Sequence, residues 1–468
     1  MKAKTPTAEW LLLTSNPEAV LSALERGETD GILPAACGLM DRFAQFMIRM
    51  GIPAILEAFP DPRKRKSIPA FLFCNLLLHK SVFRLKSLKQ IGAFLFSCPD
   101  VIRALGFNMR QIQEGFYSGS EERPMNVEAL GDFFAECALS DFTANQKQMM
   151  LELVDKEPSL LDDGSLIMDC IEARIPAGHR GREEKRLKTC VISARSEGEA
   201  LPLLWTFASR RYGGDITEGK ALVEEALPLL GSRVKRLIVD RGFICGEWMT
   251  DLKHRDIDTV IGLRSCMILY QDMLSLSREK DAVWLEAEPP KYHDKKKRPI
   301  HRHITYVDSL ETWDACGVTL TGIVIRDTYD DKIEYQAVVT TDLSASAEQI
   351  HDWIRSRWAI EETFMEESRY GSLNSLGSCR ESLGAAIVHF TLLTYTLLRL
   401  FVRQEELDKA IWRPKLPTGG IEFVAYWGEY YAIILPSQLV EIVARCAPRW
   451  GDKLPGILAK LKALERAS

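Results

Sequence analysis

The sequence predicts an α/β protein: a mixed sheet flanked by helices, set between a helical N-terminal region and a helical C-terminal region. Three observations predict it. The hydrophobic period is helical as far as Pro158 and becomes extended after Leu161. Extended and helical runs then alternate as β-β-β-α-β-α-β up to Leu263. A further group of short strands, ending near Asp342, precedes a return of helical spacing at Ser346.

Residues 1–160 read as helical. Phe43, Phe46, Met47 and Met50 recur at helical spacing, as do Phe71, Cys74, Asn75 and Leu78. Breaks fall at Pro60-Asp-Pro62, at Ser97-Cys-Pro99 and between Ser118 and Pro124. Two basic stretches, Arg63-Lys64-Arg65-Lys66 and the run with Lys80, Arg84, Lys86 and Lys89, suit either phosphate binding or a solvated charged face.

Leu166–Ile171, Lys188–Ala194 and Leu201–Ala208 read as consecutive strands, with Ser196–Glu199 as a turn between the last two. Thr217–Leu230 reads as an amphipathic helix, Val234–Asp240 as a strand, Gly246–His254 as a helix and Thr259–Leu263 as a strand. Residues 269–341 read as a β-rich insertion with runs at Ala282–Leu285, His303–Val307, Val318–Ile325 and Glu334–Thr340, and with the basic loop Lys295-Lys296-Lys297-Arg298. His293, His301 and His303 in that insertion lack a cysteine or carboxylate at zinc-site spacing. Helices return over Ser346–Tyr370 and Ser382–Arg403, and residues 405–468 close the chain as a helical region with an aromatic stretch at Phe423–Tyr431. The layout is then residues 1–160, a catalytic domain from 161–268 and 342–404, the insertion 269–341, and a tail 405–468 suited to dimerisation.

At 468 residues the chain is longer than one ordinary domain, and a length prior of roughly 150 residues per domain suggests about three. Hydrophobic residues make up 46% and charged residues 27%, the balance of a globular protein. A net charge of -5 and a pI of about 6.0 exclude a uniformly basic surface, though not local basic patches. The 11 cysteines form no CxxC pair, which argues against a zinc ribbon or a thioredoxin motif and favours a reducing cytoplasm. The N-terminus reaches charged residues quickly, so no secretory leader is expected. The most apolar run, Leu383–Leu398, is shorter than the ~20 residues of a membrane span and contains His389, so a buried helix is expected and no membrane partner.

The chemistry concentrates in acidic residues. Asp169 interrupts an apolar strand and Asp240 ends another, and a strand aspartate is unfavourable unless paired or metal-bound. Arg357 and Glu361 are four apart and share a helix face, beside an apolar stripe made by Ile360 and Phe364. Taken alone, Glu361 is either half of a structural ion pair or a metal ligand, with Glu362 as its understudy. Three carboxylates gathered at one point would suit hard divalent cations, which take oxygen ligands and keep positions for water and phosphate. Two such ions ~4 Å apart can activate a nucleophile and stabilise the leaving oxygen of a phosphodiester.

Three blocks give these residues a family context. Leu166-Ile-Met-Asp169, Leu237-Ile-Val-Asp-Arg-Gly-Phe243 and Arg357-Trp-x-Ile-Glu361 followed by Phe364 occur in order, with a β-rich insertion between the second and third. The sequence in this respect resembles the IS4 family of DDE transposases, over roughly Ser165–Phe401. The resemblance implies an RNase H-like catalytic fold and cut-and-paste DNA transposition. It implies Asp169, Asp240 and Glu361 as catalytic residues and metal ligands for two Mg²⁺ ions, with Mn²⁺ able to substitute. The first step would be a nick exposing a 3′-hydroxyl, which then attacks the opposite strand or target DNA. The implied partners are double-stranded DNA, as terminal inverted repeats and as target, and a second copy of the chain on that DNA.

The DNA contacts expected on this reading are Arg357, Arg369 and Arg241 near the metals, Trp284 and Trp313 as base-stacking residues, Lys295, Lys296, Lys297 and Arg298 in the insertion, and Arg63, Lys64, Arg65 and Lys66 in the N-terminal region. The chain departs from the family pattern at Ile354, where a tyrosine is usual, and at Ser368, where a lysine is usual. Two rivals follow: a domesticated DNA-binding protein on the same scaffold, and a metal-dependent nuclease without strand transfer.

Overall fold

A computed structural model describes residues 31–35, 39–97, 101–102, 105–107, 109–116, 124–175, 185–207, 214–289, 301–370, 380–406, 422–427 and 430–434. The chain divides into two compact units. One comprises Met1–Glu152, Arg174–Lys185 and Tyr370–Ser468, and the other Leu153–Ala173 and Arg186–Arg369.

The first unit is mostly helical. Strand β1 (Gly31–Ala35) is followed by α1 (Leu39–Arg49), α2 (Ile52–Glu57), α3 (Ala70–Val82), α4 (Glu128–Glu136) and α5 (Leu139–Lys156), with the unit boundary at Glu152. Every residue of α3 from Phe71 to Val82 is buried, so this helix is a core element, enclosed on all sides. The long C-terminal helix of this unit, Glu381–Gln404, packs against α3 and α4. It is apolar and long enough to cross a membrane by length and composition, yet its apolar window is wholly buried. Two of its polar side chains bond inside the unit: His389 Nε2 lies 3.0 Å from Asn145 Oδ1, and Thr394 donates to the Leu78 carbonyl at 3.2 Å. Phe43 and Phe134 close the core against Phe401 and Phe390, with ring centroids 5.3 and 5.6 Å apart.

The helix Glu381–Gln404 packs within the helical unit, and apolar periodicity shows that a helix is buried but not against what. One sequence expectation is corrected here. The tail beyond residue 405 contains two strands, Glu422–Trp427 and Tyr430–Ile434, which pair with each other and with β1 to form a sheet.

The second unit is built on a nine-stranded sheet. Its strands are β2 (Ser165–Ile175), β3 (Lys185–Ser196), β4 (Glu199–Trp205), β5 (Arg236–Val239), β6 (Asp258–Gly262), β7 (Trp284–Ala287), β8 (His301–Leu310), β9 (Leu320–Thr328) and β10 (Ile333–Thr340). They lie in the order β4-β3-β2-β5-β6-β10-β9-β8-β7. β2, β5 and β6 are parallel, and β3 and β4 form a hairpin at the edge. Helix α6 (Asp215–Leu230) connects β4 to β5, and α7 (Gly246–His254) connects β5 to β6. Three strands that reverse on themselves, then two parallel crossovers on the other side of the first, make the RNase H-like order.

Local sequence explains these elements. Leu237, Ile238 and Val239 are all buried, as the middle strand of a parallel sheet requires. The hairpin turns through Glu197 and Gly198, with φ of 51° and 78°, the positive pair of a two-residue turn. Gly164, at φ +66°, makes the turn into β2, and its carbonyl accepts from both Lys235 and Arg236 (2.8 and 3.1 Å), which sets β2 beside β5.

The insertion is continuous with this sheet. β10 pairs antiparallel with β6, Val339 opposite Ile261, and β9, β8 and β7 follow outward. The sequence had suggested only strands here, but Ile268–Leu276 is a helix (α8), with Leu269, Tyr270 and Met273 buried. Helices α9 (Ala347–Ser356) and α10 (Trp358–Tyr370) complete the unit.

Candidate active site

Asp169 and Asp240 are brought together by strand register. The last paired position between β2 and β5 is Met168 opposite Val239. Asp169 and Asp240 are therefore the next residues on two neighbouring parallel strands, level with each other at the strand ends. Ligands gather at this end of parallel strands in open α/β sheets. The Asp240 backbone leaves the sheet into a 3-10 turn, Arg241–Phe243, which the Asp240 side chain caps by accepting from the Gly242 amide at 3.3 Å. Buried Phe243 pins that turn beneath α6. The approach is close enough that a side chain at Gly219 would stand 2.8 Å from Phe243 and 2.9 Å from Met168.

Glu361 comes from α10. The sequence suggested one helix through Ile354–Phe364, whereas the structure breaks it at Arg357. The Ser356 hydroxyl donates to the Trp353 carbonyl at 2.6 Å, and the Arg357 amide bonds instead to Ile354 at 3.3 Å. That tightened turn starts α10 afresh at Trp358 and puts Glu361 in its first turn, where a carboxylate is favoured by the helix dipole. Ile360 and Phe364 are buried, as the apolar stripe implied.

One guanidinium joins the three segments. Arg357 Nη1 lies 3.3 Å from Asp169 Oδ2 and 3.9 Å from Asp240 Oδ1, while Nη2 lies 2.6 Å from Glu361 Oε1. The two aspartate oxygens are thus no farther apart than those first two distances together. Arg357 is only 8% exposed, so this is a fixed hub and not a solvent-screened surface pair. The sequence had placed Arg357 on phosphate, and its role as the hub of all three acids was not legible there.

Burial and like charge act on Asp169. Desolvation pushes its carboxyl up to about 6; the Cys170 amide, donating at 2.7 Å, and Arg357 pull it down, and Asp240 and Glu361 push it up again. Three carboxylates face one arginine, so negative charge is in excess. Among the described residues no three potential ligands converge directly on a single point, because Arg357 fills the centre. The donor set itself is all oxygen, partly buried and short of positive charge, which fits a hard divalent cation.

The other expected contacts are placed unevenly. Arg241 is exposed in the turn next to Asp240. Arg369 falls on α10, but its side chain is outside the described residues, as are Lys295, Lys296, Lys297 and Arg298 altogether. Trp284 begins β7 with the Arg326 guanidinium 4.3 Å from its ring centre, and Trp313 is half-buried in a loop. No described contact brings either to the carboxylates, whereas Trp358, 43% exposed, adjoins Arg357 with the guanidinium 5.2 Å from its ring centre.

Arg63 is used internally. It forms a two-pronged pair with Asp61 at 2.9 and 2.7 Å, and its guanidinium lies 4.6 and 5.0 Å from the ring centres of Phe73 and Phe133. Arg63 is thus turned toward its own unit, while Lys64, Arg65 and Lys66 are exposed. Lys80, also read as a phosphate contact, is buried.

Comparison with known proteins agrees with this geometry. Residues 179–397 match the family described as the transposase DDE domain, a span that holds Asp240 and Glu361 and opens after Asp169. No curated protein matches the chain. Among solved structures, the chain is similar to one described as "Cryo-EM structure of piggyBac transposase synaptic complex with hairpin DNA", at 10% identity and a TM-score of 0.42, over 79% of this chain and 76% of that one. The part of the chain that carries Asp240 and Glu361 is thus similar to the transposase DDE domain.

Proposed function

We propose that Asp169, Asp240 and Glu361 hold two divalent ions, Mg²⁺ or Mn²⁺, and that the protein cuts transposon ends and joins them to target DNA. The observation that supports this reading is the meeting of three carboxylates, from segments far apart in sequence, on one buried arginine at the ends of parallel strands. The bound ions would supply an activated water or 3′-hydroxyl and stabilise the leaving oxygen of the phosphodiester.

The chain's own residues do the rest. Asp169, held rigid in β2 and by the Cys170 amide, and Asp240, held by its own turn, fix two ligands before any ion arrives. Arg357 keeps the three acids together, and with a cation among them its guanidinium becomes a donor pair suited to a phosphate. Arg241, exposed beside Asp240, is placed to meet the DNA backbone. An IS4-like route, terminal inverted repeats as the DNA bound, and a dimer on paired ends belong to the same proposal, as does DNA reading by the N-terminal unit.

The test is a nicking assay on paired terminal repeats with Mg²⁺. Asp240→Asn removes one ligand charge with little change of shape, so cleavage should fall by at least two orders of magnitude, as for loss of a group acting on the transition state, while DNA binding persists. Full cleavage by Asp240→Asn would refute the metal site.

A further inference from the structure

Beside the three acids stands an ion pair that this mechanism does not use. Lys188 on β3 donates to Asp215 at the start of α6. Asp215 belongs to the same corner as Asp240: a side chain at Gly242 would lie 3.6 Å from an oxygen of each. Lys188 and Asp215 are 29% and 32% exposed, so both reach solvent.

The sheet explains why the pair sits there. β5 stops pairing at Val239, but β2 continues to Ile175 beside β3, leaving a two-stranded overhang past the strand ends. The free thiols of Cys190 and Cys170 share a hydrogen bond, and Lys188 feels the charge of Glu172, the spacing of an antiparallel pair. Strand alternation puts this overhang face opposite to the face of Asp169. At the strand ends Asp215 and Asp240 flank Gly242 and bring the two faces to one corner. Among the described residues Lys188 is a cation at this corner, with Arg241 on the adjoining turn, and a strand of DNA laid across the carboxylates would pass near it.

We propose that Lys188 binds a backbone phosphate next to the scissile one, and that Asp215 holds it in place until DNA arrives. The exchange is of one anionic partner for another. No bond is made or broken, and the ammonium keeps its charge throughout. This rests on the transposase reading and adds a subsite to it.

The experiment measures binding of a labelled mixed-sequence duplex to the full chain across a salt series. Ca²⁺ replaces Mg²⁺, as an oxygen-seeking cation to seat DNA at the carboxylates. Lys188→Met should weaken binding several-fold and lower the slope of log affinity against log salt by about 0.9, one phosphate contact. Lys188→Arg should keep the wild-type slope. Asp215→Asn should tighten binding, and that gain should vanish in the Lys188→Met background, since the gain is Lys188's release.

A purely structural pair would show equal loss of thermal stability in both single variants and an unchanged salt slope. That result, with wild-type binding intact, overturns the Lys188 subsite and leaves the transposase reading standing. Equal tightening by Asp215→Asn with and without Lys188 overturns it as well. Failure of the wild-type chain to bind DNA overturns both.

Discussion

At the scale of single residues, Asp169 carries the cost of the site. Its carboxyl is raised from 3.8 to about 6, chiefly by burial. A raised carboxyl means that between those values the folded chain holds a proton that the unfolded chain has released. Stability therefore falls as pH rises through that window, and the full cost is present above it. Two units at roughly 1.4 kcal/mol each make this on the order of 3 kcal/mol in the metal-free protein. Asp169→Asn, which keeps an acceptor for the Cys170 amide, should melt higher than wild type in EDTA at pH 7.5. The difference should shrink toward pH 4. Equal melting at pH 7.5 would show that Asp169 is not under that strain. The residue itself was legible, because an aspartate inside an apolar strand needs a reason. Arg357's contact with all three acids was not, because an i,i+4 pair identifies one partner and the other two come from folding.

At the scale of elements, α9 delivers Arg357 and Glu361 to the strand ends, and the inserted strands support it. Arg302 on β8 pairs with Asp327 on β9 through two bonds of 2.7 Å each, and Arg302 Nη1 lies 3.4 Å from His351 on α9. Asp327 is 1% exposed and His351 6%, so the group is shut from water. Burial, with the Arg302 charge next, lowers the His351 ring to about 4, leaving it neutral at pH 7 and able to accept from Arg302. Asp327→Ala strands a buried guanidinium and should cost about 3–5 kcal/mol. It should also lower nicking, since α9 loses its footing on the sheet. A thermal scan and the nicking assay check both, and wild-type stability would refute the assignment. Strand positions in this region were legible from alternation. Two things were not: the pairing of β10 with β6, which joins the insertion to the catalytic sheet, and α8, whose apolar residues cluster too briefly to show a helical period. The break at Arg357 was missed because it turns on one hydroxyl, that of Ser356, taking a carbonyl the helix would have used.

At the scale of the whole molecule, the two units differ in what acid does to them. The helical unit encloses His389, driven down to about 3 by burial, and His79, driven down to about 4 by burial against a bond to the Asn75 carbonyl. Both are neutral in the fold and must charge when the chain opens. A depressed histidine contributes stability above the unfolded value of 6.5, and that contribution is lost as pH falls below it toward the folded value. At roughly 1.4 kcal/mol per unit, His389 alone is worth several kcal/mol between pH 7 and pH 4. The sheet unit carries one such histidine, His351, and the opposite sign at Asp169, which acid relieves. With two depressed histidines against one, the helical unit should open first on acidification. Because two units need not unfold together, a single melting temperature would blur this. Amide exchange along Glu381–Gln404 and along β5 resolves it. At pH 4.5 the long helix should exchange by larger openings than at pH 7, while β5 keeps its protection. His389→Gln, which retains a donor for Asn145 but cannot take up a proton, should flatten the pH response of the helix. If the helix of that variant still loses protection between pH 7 and pH 4.5 as steeply as wild type, buried histidine is not what makes this unit acid-labile.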